Sequence, residues 1–284
     1  MIVILFTAGN FGSTIEYCLR EFSNELKKVQ FGLLEDGSMH GYGKSFHPVT
    51  FDQWNNHPSG IDIATPVFPN KNYQSPMDSL MFYQTQIKKE DSVIFIDSNS
   101  LDQAQRTQLF NYHKNKNNGL LDVLMRDKAQ SWNAEYTHWQ DMQIFELREA
   151  LSFYADQQHQ YVNLKNHAPS DWLIVDPDKI IWNLPREITR MMPHCGLTIN
   201  DEDLEEFYQK WLDKQKYVLD EFDLIIKILN YLDTDQFLSW PGLSLFGEAI
   251  LQSRLRQNGH ELDMVDLNQF PNNTVDLRGK LIRA

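Results

Sequence analysis

Met1-Ile2-Val3-Ile4-Leu5-Phe6-Thr7-Ala8-Gly9-Asn10-Phe11-Gly12-Ser13-Thr14 opens the chain, and Ile15-Glu16-Tyr17-Cys18-Leu19-Arg20-Glu21-Phe22 follows it. Residues 2–6 are an unbroken apolar run, the pattern of a strand buried on both faces. Apolar side chains at 15, 18, 19 and 22 share one face of a helix. The stretch therefore reads as buried strand, tight glycine-containing loop, helix. Such a loop aims successive backbone N–H groups at one spot beside the positive end of the helix dipole, a cradle for phosphate or sulfate. Ser13 and Thr14 fall in the first helical turn, where a hydroxyl caps the helix or bonds an anion. Two readings stay open. Gly9, Asn10, Phe11, Gly12, Ser13 and Thr14 form an anion-binding loop, or they form a tight turn whose glycines serve only to permit positive φ. The loop is neither a Walker A motif, since no Lys precedes Ser13-Thr14, nor a G-x-G-x-x-G fingerprint.

Working outward, apolar runs predict further strands over residues 29–34, 61–64 and 92–97, and helices over 76–88 and 102–113. Strands alternating with helices imply a parallel sheet covered on both faces, whose ligands bind at the carboxyl ends of the strands. The loops after Phe6, Ala64 and Ile96 would then share one edge. From about residue 130 the pattern turns mostly helical, over 142–156, 204–218, 224–232 and 246–257, with strands expected at 171–176 and 260–267. The fold class expected is α/β, a parallel sheet flanked by helices with a mostly helical C-terminal half. Residues 1–284 are expected to form a single domain with helical insertions, a division near residue 130 being the alternative.

The formal net charge of −13 argues against a general nucleic-acid binder, which needs a basic footprint. No apolar run approaches a membrane span, and no signal peptide opens the chain, so a cytoplasmic protein is expected. Cys18 and Cys195 have no metal-ligand spacing and read as buried, reduced thiols.

The opening stretch resembles the sulfotransferase family, enzymes that use 3′-phosphoadenosine 5′-phosphosulfate (PAPS), whose first strand leads to a loop ending in Gly-Ser-Thr or Gly-Thr-Thr and then a helix. Ala64-Thr65-Pro66 is similar to the Lys-Thr-Pro of carbohydrate-modifying members. Val93-Ile94-Phe95-Ile96-Asp97-Ser98-Asn99-Ser100-Leu101 is similar to the strand and loop that end, in the family, on an Arg followed two helical turns later by a Ser. The resemblance implies a P-loop-like fold and PAPS as cofactor. It implies that Gly9 to Thr14 hold the 5′-phosphosulfate, and that Ser98 and Arg106, or its neighbour Gln105, lie at the 3′-phosphate. Asp97 stands where the family has its Arg, and Ala64 where it has its Lys. The implied reaction is sulfuryl transfer to a hydroxyl or amine of a small-molecule or carbohydrate acceptor, with neither nucleic acid nor membrane as partner. A small-molecule kinase, another nucleotide-using P-loop enzyme, or a non-catalytic protein retaining the fold are the alternatives.

Trp132-Asn133-Ala134-Glu135-Tyr136-Thr137-His138-Trp139 sets Glu135 and His138 three apart, on one face if helical. Either is a candidate general base, and a solvated pair beside an aromatic cluster is the other reading. Trp211, Lys214, Gln215 and Tyr217 either stack on a sugar or nucleobase or belong to an amphipathic helix that turns Trp211 inward. Lys44, Lys71 and Arg106 are the candidate cations for the moving group.

Overall fold

A computed structural model describes residues 1–6, 11–28, 31–33, 39–41, 62–66, 68, 75–114, 144–200, 202–230, 237–239, 243–258, 274–276 and 280–282. The chain divides into two compact units, one of Met1–Gln108 with His159–Gln215, the other of Leu109–Gln158 with Lys216–Ala284.

The first unit is built on a four-stranded parallel sheet, so the α/β expectation holds. Its strands are β1 (Ile2–Phe6), β4 (Ile63–Ala64), β5 (Ser92–Ile96) and β6 (Leu173–Val175), in the order β4-β1-β5-β6. The register pairs Val3 with Ala64, Phe6 with Ile96, and Ile96 with Val175. A short antiparallel hairpin, β2 (Phe31–Leu33) and β3 (Met39–Gly41), stands apart from that sheet. Successive strand residues face opposite sides. Val3, Leu5, Val93 and Phe95 therefore enter one apolar cluster, closed by Leu80 and Tyr83 of α2 (Pro76–Gln86) and by Phe68 and Trp172. The alternate residues Ile2, Ile4, Ile94 and Ile96 are equally buried, on the face where α1 (Gly12–Glu21) and α5 (Pro177–His194) pack. Burial of each such side chain contributes roughly 1.5–3 kcal/mol, which is why the strand sequences carry no polar alternation.

Local chemistry fixes where helices begin. Ser75 accepts the Asp78 N–H at 3.1 Å ahead of Pro76. Asp176 accepts the Asp178 N–H at 2.9 Å ahead of Pro177. Both are N-caps with proline in the first turn. α5 holds Pro185 and Pro193, and bends at Asn183 (φ −160°, ψ 50°). α3 (Leu101–Lys114) follows β5, and α6 (Leu204–Asn230) is continuous where the sequence predicts two segments.

The second unit pairs α4 (Ile144–Gln157) with α7 (Leu245–Gln257), where Arg256 bonds Asp156 at 2.8 Å and Ser152 at 3.1 Å. A small antiparallel sheet in the order β7 (Phe237–Ser239), β8 (Thr274–Asp276), β9 (Lys280–Ile282) completes it. His113 Nε2 lies 2.6 Å from Glu221, which also accepts the Ser244 N–H at 2.8 Å. That pairing and the bond to Ser244 outweigh burial and hold the Glu221 carboxyl below its ordinary range. Among the described residues no helix is long and apolar enough to cross a membrane.

Candidate functional site

The strand order marks a candidate place for a site. From β1 the chain moves to β4 on one side, then crosses to β5 on the other and onward to β6. The connections after β1 and after β5 thus leave in opposite directions. The carboxyl ends of β1 and β5 therefore flank the topological switch point, where open parallel sheets bind ligands.

One wall is the start of α1. Phe11 stands at the N-cap in the left-handed region (φ 61°, ψ 16°) and forms no side-chain cap bond, and the first turn holds no acidic residue. The first intrahelical bond runs from the Ile15 N–H to the Phe11 carbonyl at 2.9 Å, so the amides of Gly12, Ser13 and Thr14 precede it. A bulky residue at positive φ is strained, and strain of this kind gathers at ligand clamps and switch regions. The Phe11 ring is held by Trp211, edge-on at 5.4 Å, and both side chains are buried. Trp211 therefore points inward, which settles the two readings of its helix. Gly12 meets a different constraint: a Cβ there would lie 2.1 Å from the Phe6 ring. The glycine lets α1 close onto the end of β1.

The other wall is the end of β5. The Asp97 carboxyl, 3% exposed, accepts the Lys165 N–H at 2.9 Å. Burial is the largest influence on it and raises its pKa to about 6, against the pull of backbone donors and of the Lys165 charge. Asn99 accepts from Lys165 Nζ and donates to Asp176. The Asn99 N–H donates to Gln103 at 2.6 Å, and Gln103 donates to Asp178 at 2.7 Å. Arg106 completes the network as the ion-pair partner of Asp178. Ser98 is buried, its carbonyl accepting the Asn163 N–H at 2.8 Å. Thr65, at the end of β4, is buried as well.

Of the site residues expected from sequence, Phe11, Gly12, Ser13, Thr14 and Ser98 lie at the carboxyl ends of β1 and β5, and Arg106 lies two turns into α3. Gly9, Asn10, Glu135 and His138, like Lys44 and Lys71, lie outside the described residues. Lys165, Asn99, Gln103, Asp176 and Asp178 are absent from the sequence-based set. Asp176 ends a predicted strand, which was signal enough to put it at this edge. Lys165 reaches Asn99 from 66 residues away, with no local pattern to announce it. The first turn of α1 suits an oxyanion. At the end of β5 the Asp97 carboxyl is buried, and Arg106 is ion-paired with Asp178. Among the described residues no three His, Cys, Asp or Glu side chains gather as a metal site. Burial drives the Cys18 thiol well above its ordinary pKa and that of Cys195 to about 12, so neither is a thiolate nucleophile.

Comparisons with protein-family models, with curated proteins and with solved structures found no match.

Proposed function

We propose that the protein is a sulfotransferase-like group-transfer enzyme. It would take a sulfuryl group from a nucleotide donor of the PAPS kind to a hydroxyl or amine on a small molecule or carbohydrate. One observation carries this reading: α1 begins without a side-chain cap, on a strained residue, beside the switch point between β1 and β5. The resemblance of residues 1–14 supplies the identity of the donor. In this reading the amides of Gly12, Ser13 and Thr14 hold the donor's phosphosulfate end. The developing charge is met by the helix dipole and by Lys165, whose ammonium keeps donors beyond the one given to Asn99. The acceptor passes its proton to a base, Glu135 and His138 being the candidates. Ser98 and Arg106 are the residues that the resemblance puts at the donor's 3′-phosphate, and Arg106 would meet it while ion-paired with Asp178.

Thermal shift and calorimetry with adenosine 3′,5′-bisphosphate test the reading. Binding should raise the melting temperature, because a ligand that binds only the native state stabilises it. Lys165→Met should weaken binding by about tenfold, the loss of one charge-assisted contact. Absence of stabilisation by the bisphosphate overturns the reading.

A second reading, a nucleotide-using enzyme that works with Mg²⁺, is favoured by Asp97, a buried carboxyl ending an apolar strand directly beside β1. Stabilisation by Mg-ATP but not by the bisphosphate would select it.

A further inference from the structure

Away from the switch point, the first unit holds a cavity of about 440 Å³ between the C-terminal half of α1 and the start of α6. Its volume lies within the range of small-molecule sites. Buried Phe22 and half-buried Tyr17 and Phe207 are its aromatic lining. The three rings pack together, with Tyr17 and Phe207 at 4.8 Å, Phe22 and Phe207 at 6.0 Å, and Tyr17 and Phe22 at 6.1 Å. The polar lining is Glu21, Asp203, Glu206 and Lys210, three carboxylates against one ammonium. Glu206 is engaged by Lys210, and Glu21 by Lys28 at 2.9 Å. Asp203 has no cationic partner among the described residues.

We infer that this cavity binds an organic cation, an ammonium or guanidinium group carried on an apolar body. The aromatic faces attract a cation through their quadrupoles and receive the apolar body by burial. Asp203 supplies the counter-charge at the rim. An anion would meet the unpaired carboxylate of Asp203, and a neutral apolar molecule would leave it unused. The Tyr17 phenol adds no competing charge: burial, and next the neighbouring Glu21, push its pKa up to about 12, so it stays neutral. This inference stands independently of the group-transfer reading, since none of its residues lies at the sheet edge.

The probe is benzyltrimethylammonium, with neopentylbenzene as its neutral isostere and benzenesulfonate as its anionic counterpart. Binding to the full chain is read by calorimetry and by shifts in the NMR signals of the aromatic side chains. The ammonium should bind saturably and more tightly than either control. Asp203→Asn should weaken it by at least about threefold, as should Phe207→Leu. Asp203 is exposed and Asn retains capping ability, so that variant keeps its fold. Equal binding of the neutral isostere, unchanged affinity in Asp203→Asn, or no saturable binding of the ammonium below about 10 mM, weaker than a single cation–π contact warrants, would each overturn the inference.

Discussion

At the scale of single residues, the candidate site rests on two unlike constraints. Gly12 is a packing glycine, because the Phe6 ring occupies the space of its missing Cβ. Gly12→Ala should destabilise the protein by about 1–3 kcal/mol, the usual cost of forcing an atom into filled space. Trimming the obstacle should remove most of that cost, so Gly12→Ala made on a Phe6→Ala background should lose far less. A double-mutant cycle by urea unfolding checks this, and additive losses would refute the contact. Asp97 is an electrostatic constraint. Its folded-state pKa of about 6 lies above the ordinary 3.8, so the native state holds this proton more tightly than the unfolded chain does. The stability it contributes is fully present below pH 4 and is lost as pH rises through about 6. The loss is on the order of 2–3 kcal/mol. The difference in unfolding free energy between the protein and Asp97→Asn should therefore slope between pH 4 and 6 and flatten outside that window. A flat difference across the whole range would mean that the carboxyl is not desolvated as its burial indicates.

Among the elements, those positioning the site differ in how plainly the sequence shows them. β1, β5 and β6 match their expected ranges within one or two residues, since a strand buried on both faces must be apolar throughout. β4 is shorter than expected, two residues against four. α5 escapes the sequence reading although it lies against β5 and β6. Pro185, Pro193 and the bend at Asn183 break the periodicity that announces a helix, while its start, Asp176-Pro177, was in plain view. β7, β8 and β9 escape for another reason: three-residue strands are too short to show an alternation. The site divides likewise. Gly12 to Thr14 and Ser98 follow their strands in sequence, whereas Lys165 arrives on a short 3₁₀ turn, Leu164–His167, whose docking depends on tertiary bonds to Asp97 and Asn99. The α5 cap gives a sharp test. Asp176 bonds both the Asp178 N–H and the Asn99 amide. Asp176→Ala removes both and should cost about 1–3 kcal/mol, whereas Asp176→Asn keeps an acceptor for the cap and should cost less. Thermal denaturation of the two variants decides it, and equal losses would mean that the charge of Asp176, rather than its role as acceptor, is what matters.

For the molecule as a whole, the net charge of −13 acts on every ligand that approaches. The two candidate ligands carry opposite charge, so the same field must affect them oppositely. On the proposed reading, an anionic nucleotide is repelled at long range and relies on short-range donors, the α1 amides and Lys165. An organic cation is attracted both at long range and at Asp203. Salt separates these ranges, because the Debye length shrinks from about 30 Å at 0.01 M to about 8 Å at 0.15 M while contacts at hydrogen-bond distance are screened much less. Raising the ionic strength over that interval should therefore speed association of adenosine 3′,5′-bisphosphate, by about two- to fivefold, as the repulsive field is screened. The same change should weaken benzyltrimethylammonium binding. Stopped-flow association rates for the first and calorimetric affinities for the second, over one salt series, give the two slopes. Opposite signs are expected. A bisphosphate rate that falls with salt would show that the cations near the switch point dominate the approach, and Lys165→Met should then restore the rising slope.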